Sequence, residues 1–468
     1  MFGCDGSGIA LLEPADGTRL SHADLRDSVA AETARLRRLA GSQPALVLIA
    51  LAPAIAPVVA HLAALSPGFA AMPVAPELDG PALAALIARY QPELVIRPTL
   101  PADLGYDAVA PGTWRREAPA TRPLHPDLGL VLSTSGSTGS PRCARLSRTA
   151  VAANARQIVE ALGIESDQRA PTSLPLSYSY GLSVLHSHLA AGAAVILTGE
   201  GLTSRGFWQV LAEGEATSFA GVPTSYEMLR RLDIDRLAPP SLITLTQAGG
   251  AMKPALTDHF LGFALRRGGK MFVMYGQTEA TARIAVLPAG ALPDRLGAAG
   301  RAVPGGRLST IDGLGQPLPP GAEGRILYQG PNVMMGYGEG RDDLARGDEL
   351  SGRLETGDLG RLDPDGMLWI TGREKRIAKV NGQRLNLDEI EARAAAFGRA
   401  AALDRGDTVA ILLAGGETPG AEARAGFAQG LGLHSSQLRW HSIADLPLTE
   451  RGKVDYAALA ARLAELSR

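Results

Sequence analysis

The sequence predicts an α/β protein: a large N-terminal domain of α/β layers with a β-rich subdomain, then a small C-terminal α+β domain. Three observations carry this. From about residue 45 to about 350, apolar strand-like runs alternate with amphipathic helical stretches, the rhythm of layered α/β units with largely parallel sheets. Beyond about residue 300, Gly-Pro punctuation recurs at Pro304-Gly305-Gly306, Pro319-Pro320-Gly321 and Asp363-Pro364-Asp365-Gly366, with short β runs between. A final unit of helices and strands follows from about 376 to 468. The expected division is 1–371 for the large domain, 372–375 for a connecting hinge and 376–468 for the small domain.

The elements follow in order. Ala45–Leu51 reads as a buried strand, Ala54–Leu65 as a helix and Phe69–Val74 as the next strand. The stretch Ala45–Leu65 is about long enough to span a bilayer, but Pro53 and Pro57 divide it, so no membrane span is expected. Leu128–Ser133 is a strand, and Ser147 is placed to cap a helix over Thr149–Leu162. Further on come a strand at Ala194–Leu197, a helix at Phe207–Glu213 and an apolar run at Ser218–Val222. A helix at Thr224–Leu232, a strand at Leu242–Thr246 and a helix at Lys253–Arg267 follow. Gly324–Tyr328 and Met367–Ile370 read as β runs of the punctuated region.

A chain of 468 residues, 46% hydrophobic, is large enough for two or more folded domains. Its net charge of −2 gives no broad attraction to nucleic acid or anionic membrane. Two cysteines, Cys4 and Cys143, build no disulfide framework, which fits a reducing compartment and a cytoplasmic protein. Cys143 reads as a packing residue. No basic region precedes an apolar core at the N-terminus, so no signal peptide is expected.

The most informative stretch is Thr134-Ser135-Gly136-Ser137-Thr138-Gly139-Ser140-Pro141-Arg142, directly after the strand Leu128–Ser133. Its glycines and hydroxyl residues can turn backbone N–H groups around one anion, naturally a polyphosphate, and Arg142 adds positive charge. The spacing does not fit a Walker A loop, which needs G-x-x-x-x-G-K-[ST]. A flexible Ser/Gly linker is the plainer reading, but a linker rarely follows a strand and ends in Pro-Arg.

Lysine is nearly replaced by arginine. Only Lys253, Lys270, Lys375, Lys379 and Lys453 occur, three of them towards the C-terminus. An ammonium is a compact, mobile point charge and a guanidinium a rigid fork, so a retained lysine suggests a site needing the former.

Four further segments join the loop in order: Tyr275-Gly276-Gln277-Thr278-Glu279; Thr356-Gly357-Asp358; Gly372-Arg373-Glu374-Lys375 leading to Lys379-Val380-Asn381-Gly382; and Pro447-Leu448-Thr449-Glu450-Arg451-Gly452-Lys453-Val454-Asp455. Together the five closely resemble the acyl-adenylate-forming, AMP-binding superfamily of acyl-CoA synthetases, nonribosomal peptide adenylation domains and beetle luciferases, over roughly residues 45 to 460. The resemblance implies activation of a carboxylic acid by ATP and Mg²⁺. The carboxylate attacks the α-phosphorus, pyrophosphate leaves, and the acyl group of the adenylate passes to the thiol of CoA or of a phosphopantetheine carrier.

Carried onto this chain, the resemblance assigns Thr134, Ser135, Gly136, Ser137, Thr138, Gly139 and Arg142 to the β- and γ-phosphates. Tyr275 would stack on adenine, beside Gly249, Gly276 and Gln277 in the nucleotide site. Thr278 would touch the α-phosphate and Glu279 would hold Mg²⁺. Asp358 would accept both ribose hydroxyls, using two acceptor oxygens, and Arg373 would reach the ribose or phosphate region. An arginine before a charged turn also often only pairs with a nearby acid. Lys453 would bridge the attacking carboxylate and the α-phosphate, a preorganised charge often contributing roughly 10²–10³ in rate. Lys375 matches the hinge about which the family's small, mobile domain rotates, presenting a thiol-transfer face near Lys379, Gly382 and Arg384.

The chain departs from the family at several places. The usual lysine of the phosphate loop is Arg142, and the glycine after it is Cys143. Amino-acid-activating members carry an aspartate where Ser179 falls, so an α-amino acid is not expected. The aromatic-His pair of many CoA ligases reads Ser177-Tyr178 here. The acyl pocket is expected around Tyr178, Ser179, Gly221, Val222, Gly249 and Gly250, in small and neutral runs with no evident charge to meet a charged tail. An apolar acyl or aryl acid is the resulting expectation, with a fatty acid slightly favoured.

The first functional expectation is a stand-alone acid–thiol ligase using CoA. Loading of a separate carrier protein is the alternative, decided by whether thioester forms with free CoA. A luciferase-like oxygenase has no supporting residue. A non-catalytic nucleotide-binding module is opposed by Glu279, Asp358 and Lys453, and attack on the adenylate by another nucleophile stays open.

Overall fold

The computed structural model describes residues 6–14, 16–41, 43–134, 142–380, 383–415, 417–431, 433–449 and 453–466. By internal contacts the chain forms two units. One holds the described residues up to 134 together with 142–308 and 328–354. The other holds 309–327 and the described residues from 355 onward.

The first unit contains three sheets. In the eight-stranded sheet, Leu128–Ser133, Phe69–Val74, Ala45–Ala50 and Leu94–Ile96 run parallel at the centre. Every residue of Ala45–Ala50 and Phe69–Val74 is buried, which accounts for their unbroken apolar sequence: both faces are covered. Antiparallel strands flank this core, with Cys143–Ser147 and then Gly336–Gly338 on one side. The stretch with bilayer-like length is the first of these strands, then a ten-residue helix at Ile55–Ala64, then the second strand. Among the described residues, no helix is long and apolar enough to cross a membrane.

A five-stranded sheet places Ser218–Gly221, Thr244–Gln247 and Lys270–Tyr275 parallel, with Ala285–Leu287 and Arg301–Ala302 antiparallel beyond them. Its parallel strands end together, so Gly221 and Gln247 stand in register beside the end of Lys270–Tyr275. That is where the loops carrying the predicted acid and nucleotide residues emerge. A third sheet, of four strands, pairs Arg169–Pro171, Ala194–Ile196 and Ile9–Glu13 in parallel, and Thr18–Ser21 closes a hairpin. Each of the three sheets thus has a run of parallel strands with an antiparallel strand on at least one margin.

Local chemistry sets the helices. Ser147 accepts from the Ala150 N–H at 3.0 Å and starts the helix Arg148–Leu162, which Gly163 ends in the left-handed conformation. Ser204 caps Arg205–Glu213 in the same way. A helix not expected from the sequence, Ser179–Ala191, begins inside the predicted acyl segment. Nearly all its faces are buried, so it lacks the amphipathic period that marks a surface helix.

In the second unit, the strands Arg353–Leu362 and Leu368–Arg373 pair antiparallel around the Asp363-Pro364-Asp365-Gly366 turn, closed by Asp363 Oδ1 accepting from the Asp365 and Met367 N–H groups. A hairpin of Ile377–Val380 and Gln383–Asn386 leads to the helix Leu387–Ala394. A three-stranded sheet of Arg399–Asp404, Val409–Ala414 and Leu438–Ile443 follows, with the helices Ala421–Gly430 and Tyr456–Leu466. Its core joins Ala378, Val380, Leu385 and Ile390 to Val409 and Ile411.

Candidate active site

The phosphate-type loop springs from a closed base. The Thr134 N–H and hydroxyl both donate to the Arg142 carbonyl, at 3.0 and 2.9 Å, one step beyond the register pair Ser133 and Cys143. Both ends of the loop are thus held at the end of one antiparallel ladder. Ser135, Gly136, Ser137, Thr138 and Gly139 lie outside the described residues.

Arg142 does not project alone. Its guanidinium carbon sits 4.3 Å from the centroid of the Tyr337 ring, and the Tyr337 hydroxyl donates to Glu279 Oε1 at 2.7 Å. A delocalised guanidinium suits an aromatic face better than an ammonium does, which gives the arginine at this position a physical role. Burial and the neighbouring Glu279 carboxylate both push the Tyr337 phenol up, so it stays neutral and acts as donor. Tyr337 was not singled out from the sequence. It lies between Gly336 and Gly338 on a short strand, and only its place opposite Ala144 brings it to the loop.

The fully buried Arg145 secures that strand. Its Nε donates to the Tyr337 carbonyl at 3.1 Å, its other nitrogens reach the Arg346 and Gly347 carbonyls, and it pairs with Glu349. Burial lowers its pKa and Glu349 opposes that shift.

Glu279 stands on the single 3₁₀ turn Thr278–Ala280, after the strand Lys270–Tyr275. Its carbonyl accepts from the Met334 N–H at 2.8 Å. The turn is tight. A Cβ on Gly276 would stand 1.8 Å from the Ala282 carbonyl oxygen, so only glycine fits there. Thr281 holds φ at 62°, an uncommon value for a β-branched residue, with its hydroxyl bonded to the Asn332 carbonyl at 2.8 Å. Gln277 lies between Gly276 and Thr278 in the same turn, and Tyr275 is buried at the strand end, opposite Ala285.

The acid-pocket residues meet this turn. Ser179 Oγ and Thr278 Oγ1 lie 3.2 Å apart, both buried. Gly249, at φ +88°, faces the Tyr178 hydroxyl and Val222: a Cβ there would come within 2.8 and 3.0 Å of them. Gly250 is held by Gln247, whose Nε2 donates to its carbonyl at 2.8 Å. A Cβ on Gly221 would come within 2.9 Å of Phe219 and Tyr226, so packing alone requires that glycine. Tyr178, Val222, Gly249 and Gly250 thus share one neighbourhood, and Ser179 joins it to Thr278.

The neutral runs do not account for the whole surroundings. Arg283, four residues after Glu279, is 2% exposed and lies over the Tyr180 ring at 4.5 Å. The contiguous runs around Tyr178, Gly221 and Gly249 carry no charge near the pocket, and Arg283 lies outside them. Arg283 comes from the loop between the 3₁₀ turn and the strand Ala285–Leu287.

In the second unit, Asp358 and Arg373 are register partners on paired strands, and Arg373 Nε donates to Asp358 Oδ1 at 3.0 Å. Asp358 is buried while Arg373 is mostly exposed. Gly357, at φ +76°, turns the chain before it, and the Thr356 hydroxyl accepts from the Asp358 N–H at 3.2 Å.

Lys453 sits in a short loop. The Thr449 N–H donates to the Lys453 carbonyl at 2.7 Å, Leu448 and Val454 form a β-bridge, and the Asp455 N–H donates to the Pro447 carbonyl at 2.8 Å. Asp455 Oδ1 then caps the helix Tyr456–Leu466. Lys375 lies on the turn Glu374–Arg376, and Lys379 faces Arg384 across the hairpin; the side chains of all three lie outside the described residues, as does Gly382.

Next to Lys375, Arg376 is held by Asp388 at 2.9 Å, by Glu391 and by the face of Tyr456 at 4.0 Å. Among the described residues no cluster of three or more His, Cys, Asp or Glu could hold a metal. Glu279 nevertheless suits a Mg²⁺ ion shared with phosphate oxygens: a carboxylate beside a phosphate loop supplies the one or two protein oxygens such an ion takes.

The chain belongs to the family of AMP-binding enzymes, whose model matches residues 6–338. It is similar to the indoleacetate–CoA ligase of Aromatoleum aromaticum, with 31% identity over 277 residues, 58% of this chain and 53% of that protein. It is also similar to the sulfoacetate–CoA ligase of Cupriavidus necator, with 29% identity over 370 residues, 76% of this chain and 69% of that protein. The match thus spans about half the length of the first relative and about two thirds of the second. Among solved structures it resembles ATP-bound MatB from Rhodopseudomonas palustris, with a TM-score of 0.78 and 23% identity, covering 99% of this chain and 97% of that one, a likeness of fold.

Proposed function

We propose that the protein is an AMP-forming acid–thiol ligase that converts a carboxylic acid and ATP into an acyl-adenylate and passes the acyl group to CoA. The observation that carries this is the chain of contacts from Arg142 through Tyr337 to Glu279, one residue from Thr278, whose hydroxyl meets Ser179 of the acid pocket. It sets a cation, a carboxylate and a hydroxyl between a phosphate-type loop and an acid-binding cleft. Membership of the AMP-binding family and similarity to two named CoA ligases support the same chemistry.

In this reading Thr134 and Arg142 bind the outer phosphates, and Thr278 donates to the α-phosphate. Glu279, held by Tyr337, receives Mg²⁺, which neutralises phosphate charge when bound. Tyr275, Gly276, Gln277 and Gly249 frame the adenine, and Asp358 accepts the ribose hydroxyls with Arg373 steadying its carboxylate. Lys453 draws together two anions, the acid and the α-phosphate, and favours departure of pyrophosphate. Lys375 is the hinge of a 376–468 lid, with Lys379, Gly382 and Arg384 on its thiol-transfer face. Ser179 offers no carboxylate to an α-ammonium group, so the substrate is an acid without one. Tyr178, Val222 and the glycines suit an apolar or aryl body.

The test is pyrophosphate release from ATP and Mg²⁺ across a panel of aliphatic, aryl and amino acids, followed by thioester formation with CoA. A response to one acid class, lost in Lys453→Ala, upholds the proposal. Silence across the panel sinks it, and thioester formed only on a carrier protein reassigns the acceptor.

A further inference from the structure

Among the described residues no carboxylate pairs with the guanidinium of Arg283. Its Nε is buried without a hydrogen bond, and among the described residues its one polar side-chain contact is a long one, 3.4 Å, to Ser183 Oγ. Tyr180 offers its ring face but directs its hydroxyl to the Thr246 carbonyl. A buried cation left so poorly compensated is destabilising unless something pairs with it.

The backbone behind Arg283 is unusually well held. The side-chain amides of Asn154 and Asn332, both 1% exposed or less, donate to the Arg283 carbonyl at 3.1 and 2.8 Å. Tyr328 in turn donates to Asn332 Oδ1 at 2.7 Å. Such support preorganises a side chain for recognition.

The guanidinium lines a narrow cleft of about 30 Å³, part of it open to solvent. Ile158, Leu162 and Ile164 form an apolar wall, and Tyr180, Ser183 and Met274 line the cleft with Arg283. None of the phosphate-binding candidates contributes, so the charge does not serve the nucleotide. Tyr180 neighbours Ser179 in sequence and packs edge-on against Tyr178, with ring centroids 6.4 Å apart, which connects the cleft to the acid pocket. His188 donates through Nδ1 to the Val184 carbonyl at 2.9 Å, so its unpartnered Nε2 presents a lone pair to the same cleft. That nitrogen accepts from water or a ligand O–H, leaving Arg283 as the anion's partner.

We infer that Arg283 is a specificity-determining residue of the acid pocket, and that the acid activated by this protein carries a second carboxylate at the end remote from the reacting one. The inference rests on the acid-activating reading above. A guanidinium fork matches a carboxylate with two parallel hydrogen bonds, and in a water-poor cleft that pair discriminates strongly.

The experiment compares length-matched pairs of dicarboxylic and monocarboxylic acids, aliphatic and aryl, in pyrophosphate release. The wild type is expected to favour a diacid over its monoacid by about tenfold or more in kcat/KM, the scale of a charge-assisted hydrogen bond. Arg283→Met is expected to cut that preference about tenfold, and Arg283→Lys to retain part of it. Methionine fills the volume without a charge, so the variant should keep its fold, which thermal unfolding checks. A wild type that favours the monoacid throughout, or a preference unchanged in Arg283→Met, overturns the inference.

If no acid releases pyrophosphate, it is the activating reading that fails, and calorimetric titration of the protein with the same diacids then decides. Saturable binding tighter than that of the monoacid, and lost in Arg283→Met, upholds the subsite; its absence overturns it.

Discussion

Arg373 Nε donates to Asp358 Oδ1 at 3.0 Å across two paired strands, so the two residues expected to reach the ribose hold each other. The pair is unequal. Asp358 is buried and Arg373 is largely in solvent. Asp358→Ala should therefore raise the KM for ATP by about tenfold or more, since it removes an ionised acceptor. Arg373→Ala should raise it only a few-fold, because an exposed ion pair is weak. ATP saturation curves for both variants check the order; equal effects would make Arg373 a direct nucleotide ligand.

Tyr337 supplies the hydrogen bond that fixes Glu279, at 2.7 Å. Tyr337→Phe keeps the ring under Arg142 and removes only that donor. The expected outcome is a loss of about tenfold in adenylation with a raised Mg²⁺ requirement, from a carboxylate no longer oriented. Arg142→Lys should cost less, about the value of one cation–π contact. Mg²⁺ titrations of pyrophosphate release distinguish the two.

Gly276→Ala forces a Cβ to within 1.8 Å of the Ala282 carbonyl, and backbone has to move. A loss of about 1–3 kcal/mol in stability is expected, together with loss of adenylation. Gly249→Ala meets a side-chain hydroxyl, Tyr178, at 2.8 Å, and a φ of +88°. It should raise the KM for the acid more than that for ATP. Thermal unfolding and paired KM measurements test both.

His61 and His186, on the helices Ile55–Ala64 and Ser179–Ala191, meet through their Nε2 atoms at 3.0 Å in a fully buried pair. One donates and the other accepts, so both are neutral. Burial pushes His186 down to about 4, and His61 falls well below its ordinary 6.5. The unfolded chain binds protons on these residues near 6.5 and the folded chain only at lower pH, near 4 on His186. Stability should be full above about pH 6.5 and decline as the pH falls towards 4. Denaturant midpoints between pH 7 and 4 check this, with a shallower decline expected in His186→Phe.

Cys143 is buried, and burial raises its thiol to about 11. In a Cys4→Ser background, native protein at pH 8 should take up a thiol reagent only slowly, and denatured protein at once. Rapid native labelling would contradict its role as a packing residue.

What the sequence determined by itself was local and contiguous. Unbroken apolar runs marked the buried strands Ala45–Ala50 and Phe69–Val74 because both faces are covered, and Ser147 announced its helix through a cap that acts within three residues. The ordered motifs named the family, since a phosphate loop and its companion turns are short stretches of backbone geometry. What only the tertiary structure decided was which distant residues serve those motifs. The helix Ser179–Ala191 escaped notice because burial on all sides removes the alternation that a sequence reveals. Tyr337, 58 residues from Glu279 in sequence, reaches it only because its strand pairs with Cys143–Ser147. Arg283 becomes an unpaired charge only once the fold has excluded every carboxylate described around it. Burial and the absence of a partner are properties of space, and no run of neighbouring residues encodes them.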